Sequence, residues 1–135
     1  MRLLLIAPDE IDAAWAQLSK RVAGIAARSS GRYSEITIRE YAKSGHWQLW
    51  FVRGDDDEIC FVGATQFIDY PTGLRTIAWH FGSGEDRDAW KHFMNDVLAW
   101  AKANGATLAE GCFRRGWSRV FKDWTRSHEF LERVI

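Results

Sequence analysis

The pattern of this 135-residue chain predicts a mixed α/β (α+β) fold: a central, mostly antiparallel sheet with a three-strand meander, flanked by helices. Three observations predict it. Residues 46–81 hold three runs rich in strand-forming residues, separated by the compact turns Gly54-Asp55-Asp56-Asp57 and Pro71-Thr72-Gly73. Apolar residues recur at helical spacing on both sides of that region. The composition is 47% hydrophobic and 27% charged with two prolines, which suits one core-forming domain over residues 1–135.

The elements follow in order. Residues 2–7 read as a first strand. Pro8-Asp9-Glu10 opens a helix, because proline is tolerated in a first turn and acids suit the positive end of the helix dipole. Ile11, Ala14, Trp15, Leu18, Val22 and Ile25 carry that helix to Ala27. Residues 28–32 form a loop, and Ser34 caps a second helix ending near Gly45. The meander strands are 46–53, 58–70 and 74–81. Gly82-Ser83-Gly84 breaks the last of them, and Ser83 caps a long helix over 86–104. Glu85, Asp86 and Asp88 load its first turn with acid, and Asn104-Gly105 ends it. A strand over 106–113, an amphipathic helix over 114–124 and a terminal strand over 127–135 complete the chain. Trp50, Trp79, Trp90, Phe93, Val97 and Phe121 are expected in the core.

Lysine plus arginine equal aspartate plus glutamate at 18 each, so no global charge draws the chain to nucleic acid or an anionic membrane. Cys60 and Cys112 each sit in an apolar run and read as buried thiols of a reducing compartment. The apolar run at the N-terminus is too short to span a membrane and meets Asp9 and Glu10 at once, so a cytoplasmic protein is expected. His46, His80, His92 and His128 lack ligand spacing, and no metal is expected. Ser29, Ser30 and Ser83 have no base partner in view, which leaves nucleophilic catalysis unsupported.

The order strand, helix, helix, three-strand meander, long helix, strand, helix, strand resembles the GNAT superfamily of N-acetyltransferases over nearly the whole chain. The likeness is densest from Leu74 to Trp117. There a meander strand, Leu-Arg-Thr-Ile-Ala-Trp-His-Phe, leads through a turn into the segment from Trp90 to Gly105, then into Thr107 to Phe113 and Arg114-Arg115-Gly116-Trp117. The family's last segment holds two strands, and this chain has room for one. The resemblance implies an acyl-CoA signature, Gln/Arg-x-x-Gly-x-Gly/Ala, at the start of the long helix. Its glycines admit the backbone and its free N–H groups hold a pyrophosphate. Here the segment reads Gly82-Ser83-Gly84-Glu85-Asp86-Arg87-Asp88: the basic residue and the second glycine are missing, and three acids occupy the turn. Gly82, Ser83, Gly84 and Arg87 are what it offers to a cofactor. The acids satisfy the dipole themselves and repel an anion, so the expectation is no cofactor, with acetyl-CoA entering only for an enzyme. His80 is the candidate base, since imidazole titrates near neutrality; a strand-face histidine with a structural hydrogen bond is the plainer account. The resemblance also implies a tyrosine after the later strand, where this chain has Trp117 and Phe121.

In the last predicted helix Trp117, Val120, Phe121 and Trp124 share an apolar face, while Arg114, Arg115, Arg119, Lys122 and Arg126 crowd the remainder. Arg115, Trp117, Arg119 and Lys122 are therefore the candidate partner-binding residues; a docked helix with a solvated basic face is the alternative. Small GNAT-like proteins with an eroded CoA turn occur among phage and prophage products. On that resemblance the reading is a non-catalytic, virion-associated or structural protein. It would bind other phage or host proteins, in an oligomeric assembly, in the host cytoplasm or the virion. The alternatives are an acyl-CoA-dependent N-acetyltransferase with an atypical turn, and a basic-helix module that contacts nucleic acid.

Overall fold

The computed structural model describes residues 1–135. Strand β1 (Arg2–Leu5) is followed by a 3-10 turn (Pro8–Glu10) and helix α1 (Ile11–Ala27). Helix α2 (Glu35–Lys43) precedes the meander β2 (Gln48–Arg53), β3 (Ile59–Asp69) and β4 (Arg75–Gly84). Then come α3 (Arg87–Trp90), α4 (Phe93–Ala103), β5 (Leu108–Gly111) and a 3-10 turn (Arg115–Arg119). The strands form one sheet in the order β1-β2-β3-β4-β5, antiparallel except for the parallel pair β4–β5. A parallel pair needs a crossover, and α3 with α4 supplies it.

Alternation divides the sheet into two faces. Leu49, Val62 and Ala64 pack against α1 and α2 with Ile11, Leu18, Val22 and Ile38. Trp50, Val52, Phe61 and Trp79 point the other way, against Trp90, Met94 and Val97 of α3 and α4. The stripe predicted for the first helix is therefore the buried face of α1. Ser34 caps α2 as expected, its hydroxyl accepting from the Thr37 N–H at 3.1 Å. Both meander turns form where their residues predict; Gly73 takes the left-handed conformation its turn needs (φ +89°).

The last meander strand carries one irregularity. Ala64 pairs with Phe81 but Thr65 pairs with Trp79, so His80 is an extra residue in β4. A bulge of this kind reverses the alternation. Ile77 and Trp79 face α4, whereas Phe81 packs toward α1 and α2.

Several expectations are corrected. Gly82-Ser83-Gly84 does not end β4: Gly82 pairs with Gly63, Ser83 with Val62 and Gly84 with Phe61. A Cβ on Gly84 would lie 2.5 Å from the Cys60 carbonyl oxygen, so glycine here permits close pairing instead of breaking the strand. The long helix over 86–104 is two helices. It starts at Arg87, after Asp86 in a left-handed conformation (φ +49°), and is interrupted after Trp90 by i→i−3 bonds from Met94 to Lys91 and from Asn95 to His92. The helix over 114–124 is only the 3-10 turn at Arg115–Arg119, followed by a separate turn at Trp124; Gly116 lies within it and weakens helix formation. The strand over 127–135 is absent: the tail pairs with no strand and is held by the Arg32–Glu132 ion pair (2.7 Å) and by Arg32 over the Phe130 ring. Trp50, Trp79, Trp90 and Val97 are buried as expected, while Phe93 and Phe121 are half-buried. Cys60 is half-buried and Cys112 exposed, so the expectation of two buried thiols fails.

Candidate active site

The pairing of β4 with β5 runs only from Thr76–Leu108 to Trp79–Gly111. Beyond that point β4 continues to Gly84 on β3, and its other edge has no strand partner. Between this free edge and residues 112–121 lies a cleft of about 670 Å³. His80 through Gly84 form one wall; Cys112, Phe113, Arg114, Trp117 and Phe121 form the opposite one. The end of α1 contributes Ile25 and Arg28, the following loop Tyr33, and the crossover Arg87, Trp90 and Met94.

The bulge puts His80 in that wall. Its Nε2 lies 2.9 Å from Gln66 Oε1, and Gln66 Nε2 lies 3.2 Å from His46 Nε2. Trp47 stacks on the His80 ring at 4.1 Å and 20°. Burial pushes the His80 imidazole below its ordinary 6.5, and the nearby His46 adds to the effect. The ring is thus neutral at neutral pH and has the chemistry of a base. Tyr33 is held between Trp47 and Phe81, and burial raises its phenol above the ordinary 10.0, so it keeps its proton.

The charges in the wall are Arg28, Arg87 and Arg114, with no carboxylate among the lining residues. Glu85, Asp86 and Asp88, which the sequence places at the turn, are not among the lining residues. Glu85 turns to Arg21 of α1 at 2.9 Å, in an adjoining groove of about 730 Å³ that shares Arg28 and Ser83 with the cleft and also holds Lys20 and Arg53. The Arg21 guanidinium holds the Glu85 carboxyl below its usual value. Asp88 pairs with Lys91 at 3.0 Å, which lowers its pKa with help from Arg87. Asp86 is exposed at the left-handed link. Because α3 is a single turn, it offers little dipole to an anion, and the three arginines carry the positive field.

Of the residues singled out in the sequence, His80, Gly82, Ser83, Gly84, Arg87 and Trp117 meet in this cleft. Trp117 is half-buried, stacked on Phe121 at 5.4 Å and near Trp90. Arg115, Arg119 and Lys122 are exposed and do not line it. Sequence reasoning missed Arg28, Tyr33 and Gln66. Arg28 sits in a loop-like stretch but donates to the Ser83 hydroxyl at 3.3 Å. Gln66 carried the one available signal, a long polar side chain amid strand-forming residues.

No protein-family model and no characterised protein sequence matches the chain. Solved structures do. The ribosomal-protein-alanine N-acetyltransferase of Brucella melitensis biovar Abortus 2308 matches with TM-score 0.67 and 11% identity, covering 100% of this chain and 99% of that one. A probable acetyltransferase matches with TM-score 0.74 and 10% identity over 100% and 97%. An aminoglycoside acetyltransferase from an uncultured soil metagenomic sample matches with TM-score 0.71 and 13% identity over 99% and 96%. The chain has the GNAT fold, as its element order implied. The same likenesses correct the expectation of a non-catalytic phage or prophage protein, virion-associated or structural: the similar structures are acetyltransferases, and nothing found supports a phage role. No helix is long and apolar enough to cross a membrane.

Proposed function

We propose that this chain is an acyl-CoA-dependent N-acyltransferase whose active site is the cleft between β4 and residues 112–121. The observation that carries the reading is the composition of that cleft: a free strand edge, a neutral imidazole and three arginines line one space without a carboxylate. These features fit the donor in kind. An unpaired strand edge can hydrogen-bond an extended amide chain. Arginines suit phosphate, and the rings of Phe113, Trp117 and Phe121 suit an apolar acyl or thioethyl portion. The donor supplies an acyl carbonyl activated as a thioester. His80 takes up the proton that an attacking amine must lose, and Tyr33 retains a hydroxyl proton for the departing sulfur.

Titration calorimetry with acetyl-CoA tests the donor site. Saturable binding is expected, and Arg28→Glu with Arg87→Glu should weaken it about tenfold or more, with the loss larger at low salt. No saturable binding up to about millimolar acetyl-CoA, an affinity worth only ~4 kcal/mol, would overturn the reading. For the chemistry, thiol release is followed with a panel of amines. His80→Asn should keep the affinity for acetyl-CoA and lose about 10²–10⁴-fold in turnover.

A further inference from the structure

We infer that Gln66 is a positioning residue that sets which nitrogen of His80 carries the proton, and that protonation of the exposed His46 reverses this setting through the Gln66 amide. The inference rests on the reading of His80 as the base, and it follows from donor and acceptor accounting. A carboxamide has one accepting end and one donating end. Gln66 turns its oxygen to His80 Nε2 at 2.9 Å, so that nitrogen carries the hydrogen. His80 Nδ1 is then the lone pair, with no hydrogen-bond partner in the protein, on a ring in the cleft wall. Gln66 turns its NH₂ to His46 Nε2 at 3.2 Å, where it donates to a lone pair.

The arrangement has a second state. When His46 gains a proton, its Nε2 becomes a donor and faces the donating end of Gln66. Rotating the amide by half a turn restores both bonds: the oxygen accepts from His46 and the NH₂ donates to His80 Nε2. His80 must then carry its hydrogen on Nδ1, and the ring's unpartnered lone pair is gone. The ring itself cannot easily answer by turning over, because Trp47 is stacked on it at 4.1 Å. His46 is held against Tyr41 at 4.7 Å. As the extra residue of the bulge, His80 is oriented by these contacts rather than by regular strand pairing. The other titratable or charged groups around the cleft are Tyr33, Arg28, Arg87, Arg114 and Cys112; none is a carboxylate that would favour a charged imidazole. Surface protonation would therefore silence the base without charging it.

Side-chain ¹⁵N NMR of the histidines in the unliganded protein reads the tautomer directly. At about pH 8, where an ordinary imidazole is neutral, His80 should be the Nε2–H form. On acidification it should convert to Nδ1–H before it gains a second proton, and this conversion should be absent in His46→Phe. Gln66→Met should abolish the single-tautomer pattern and lower kcat a few-fold, in proportion to the share of the ring left as Nδ1–H, with KM for acetyl-CoA unchanged. Gln66→Glu, which accepts from His80 Nε2, should restore the Nε2–H form. His46→Phe should keep that form into acid and extend the acid limb of the kcat profile. Gln66→Asn, one methylene too short to reach both rings, is the second variant should Gln66→Met fail to fold. An Nδ1–H tautomer at pH 8 in the unmodified protein, or an unchanged tautomer in Gln66→Met and Gln66→Asn, would overturn the inference. The predicted tautomers without acyl transfer in any variant would support the role of Gln66 and count against the acyltransferase reading alone.

Discussion

His80 is half-buried, and removal from water favours its neutral form. Its pKa in the fold lies below the 6.5 of a free imidazole, so the unfolded chain binds its proton at a higher pH than the folded one does. The stability tied to a neutral His80 is therefore fully present above about 6.5 and is lost as pH falls toward the depressed value. Urea unfolding across that window should show a steeper acid-side decline for the unmodified chain than for His80→Asn; identical profiles would mean that burial of the imidazole carries no weight. Gly84 is constrained by space instead of charge. A methyl there meets the Cys60 carbonyl at 2.5 Å and Trp90 Nε1 at 3.0 Å. The Trp90 indole already donates to the Glu85 carbonyl at 2.9 Å, so it has little room to yield. Gly84→Ala should cost about 1–3 kcal/mol in urea denaturation, and an unchanged midpoint would show that the strand end can relax.

Elements with a local cause were legible. The stripe from Ile11 to Ile25 makes α1, and Ser34 makes the start of α2, because periodicity and capping involve neighbours in sequence. The elements misread are those whose cause lies elsewhere in the chain. Gly82 and Gly84 read as a break until β3 supplies the partner that needs them small. The basic segment after β5 has the spacing of an amphipathic helix, yet Trp117 and Phe121 dock into the cleft wall and leave only a 3-10 turn. A methyl added at Gly116 would meet nothing within 4 Å. Gly116→Ala should therefore add helical signal in far-UV circular dichroism and leave stability equal or higher by up to about 1 kcal/mol. A loss of stability would mean that this turn depends on the freedom of glycine.

At the scale of the whole molecule, two apolar layers hold the sheet, and the cleft opens where one of them ends. Leu18 is fully buried in the layer beneath α1, far along the chain from the strands it packs against. Leu18→Ala should cost about 2–5 kcal/mol by thermal or urea unfolding, and a cost below about 1 kcal/mol would show that this layer collapses around the void. The zero net charge of the chain hides a local imbalance: three arginines line the cleft, Glu85 pairs with Arg21 outside it, and Asp88 is shared between Lys91 at 3.0 Å and Arg87 of the cleft wall at 3.8 Å. A formal charge therefore excluded less than it suggested, and only its distribution bears on an anionic ligand.

By itself the sequence determined the order of the elements through β4, the meander and its two turns, the buried stripe of α1 and most of the aromatic core. Each follows from residues within a few positions of one another, where backbone geometry dictates which side chains share a face. Tertiary structure decided where charged and polar side chains go. Arg21 and Glu85 are 64 residues apart, and their pairing takes out of the cleft an acid that in the sequence lies in the anion's place. The bulge at His80 requires counting residues on β3 against residues on β4, and Gln66 meets His80 and His46 only once that register is set. Long-range register and the directions of long side chains depend on partners that local pattern does not name, so the site became visible only in three dimensions.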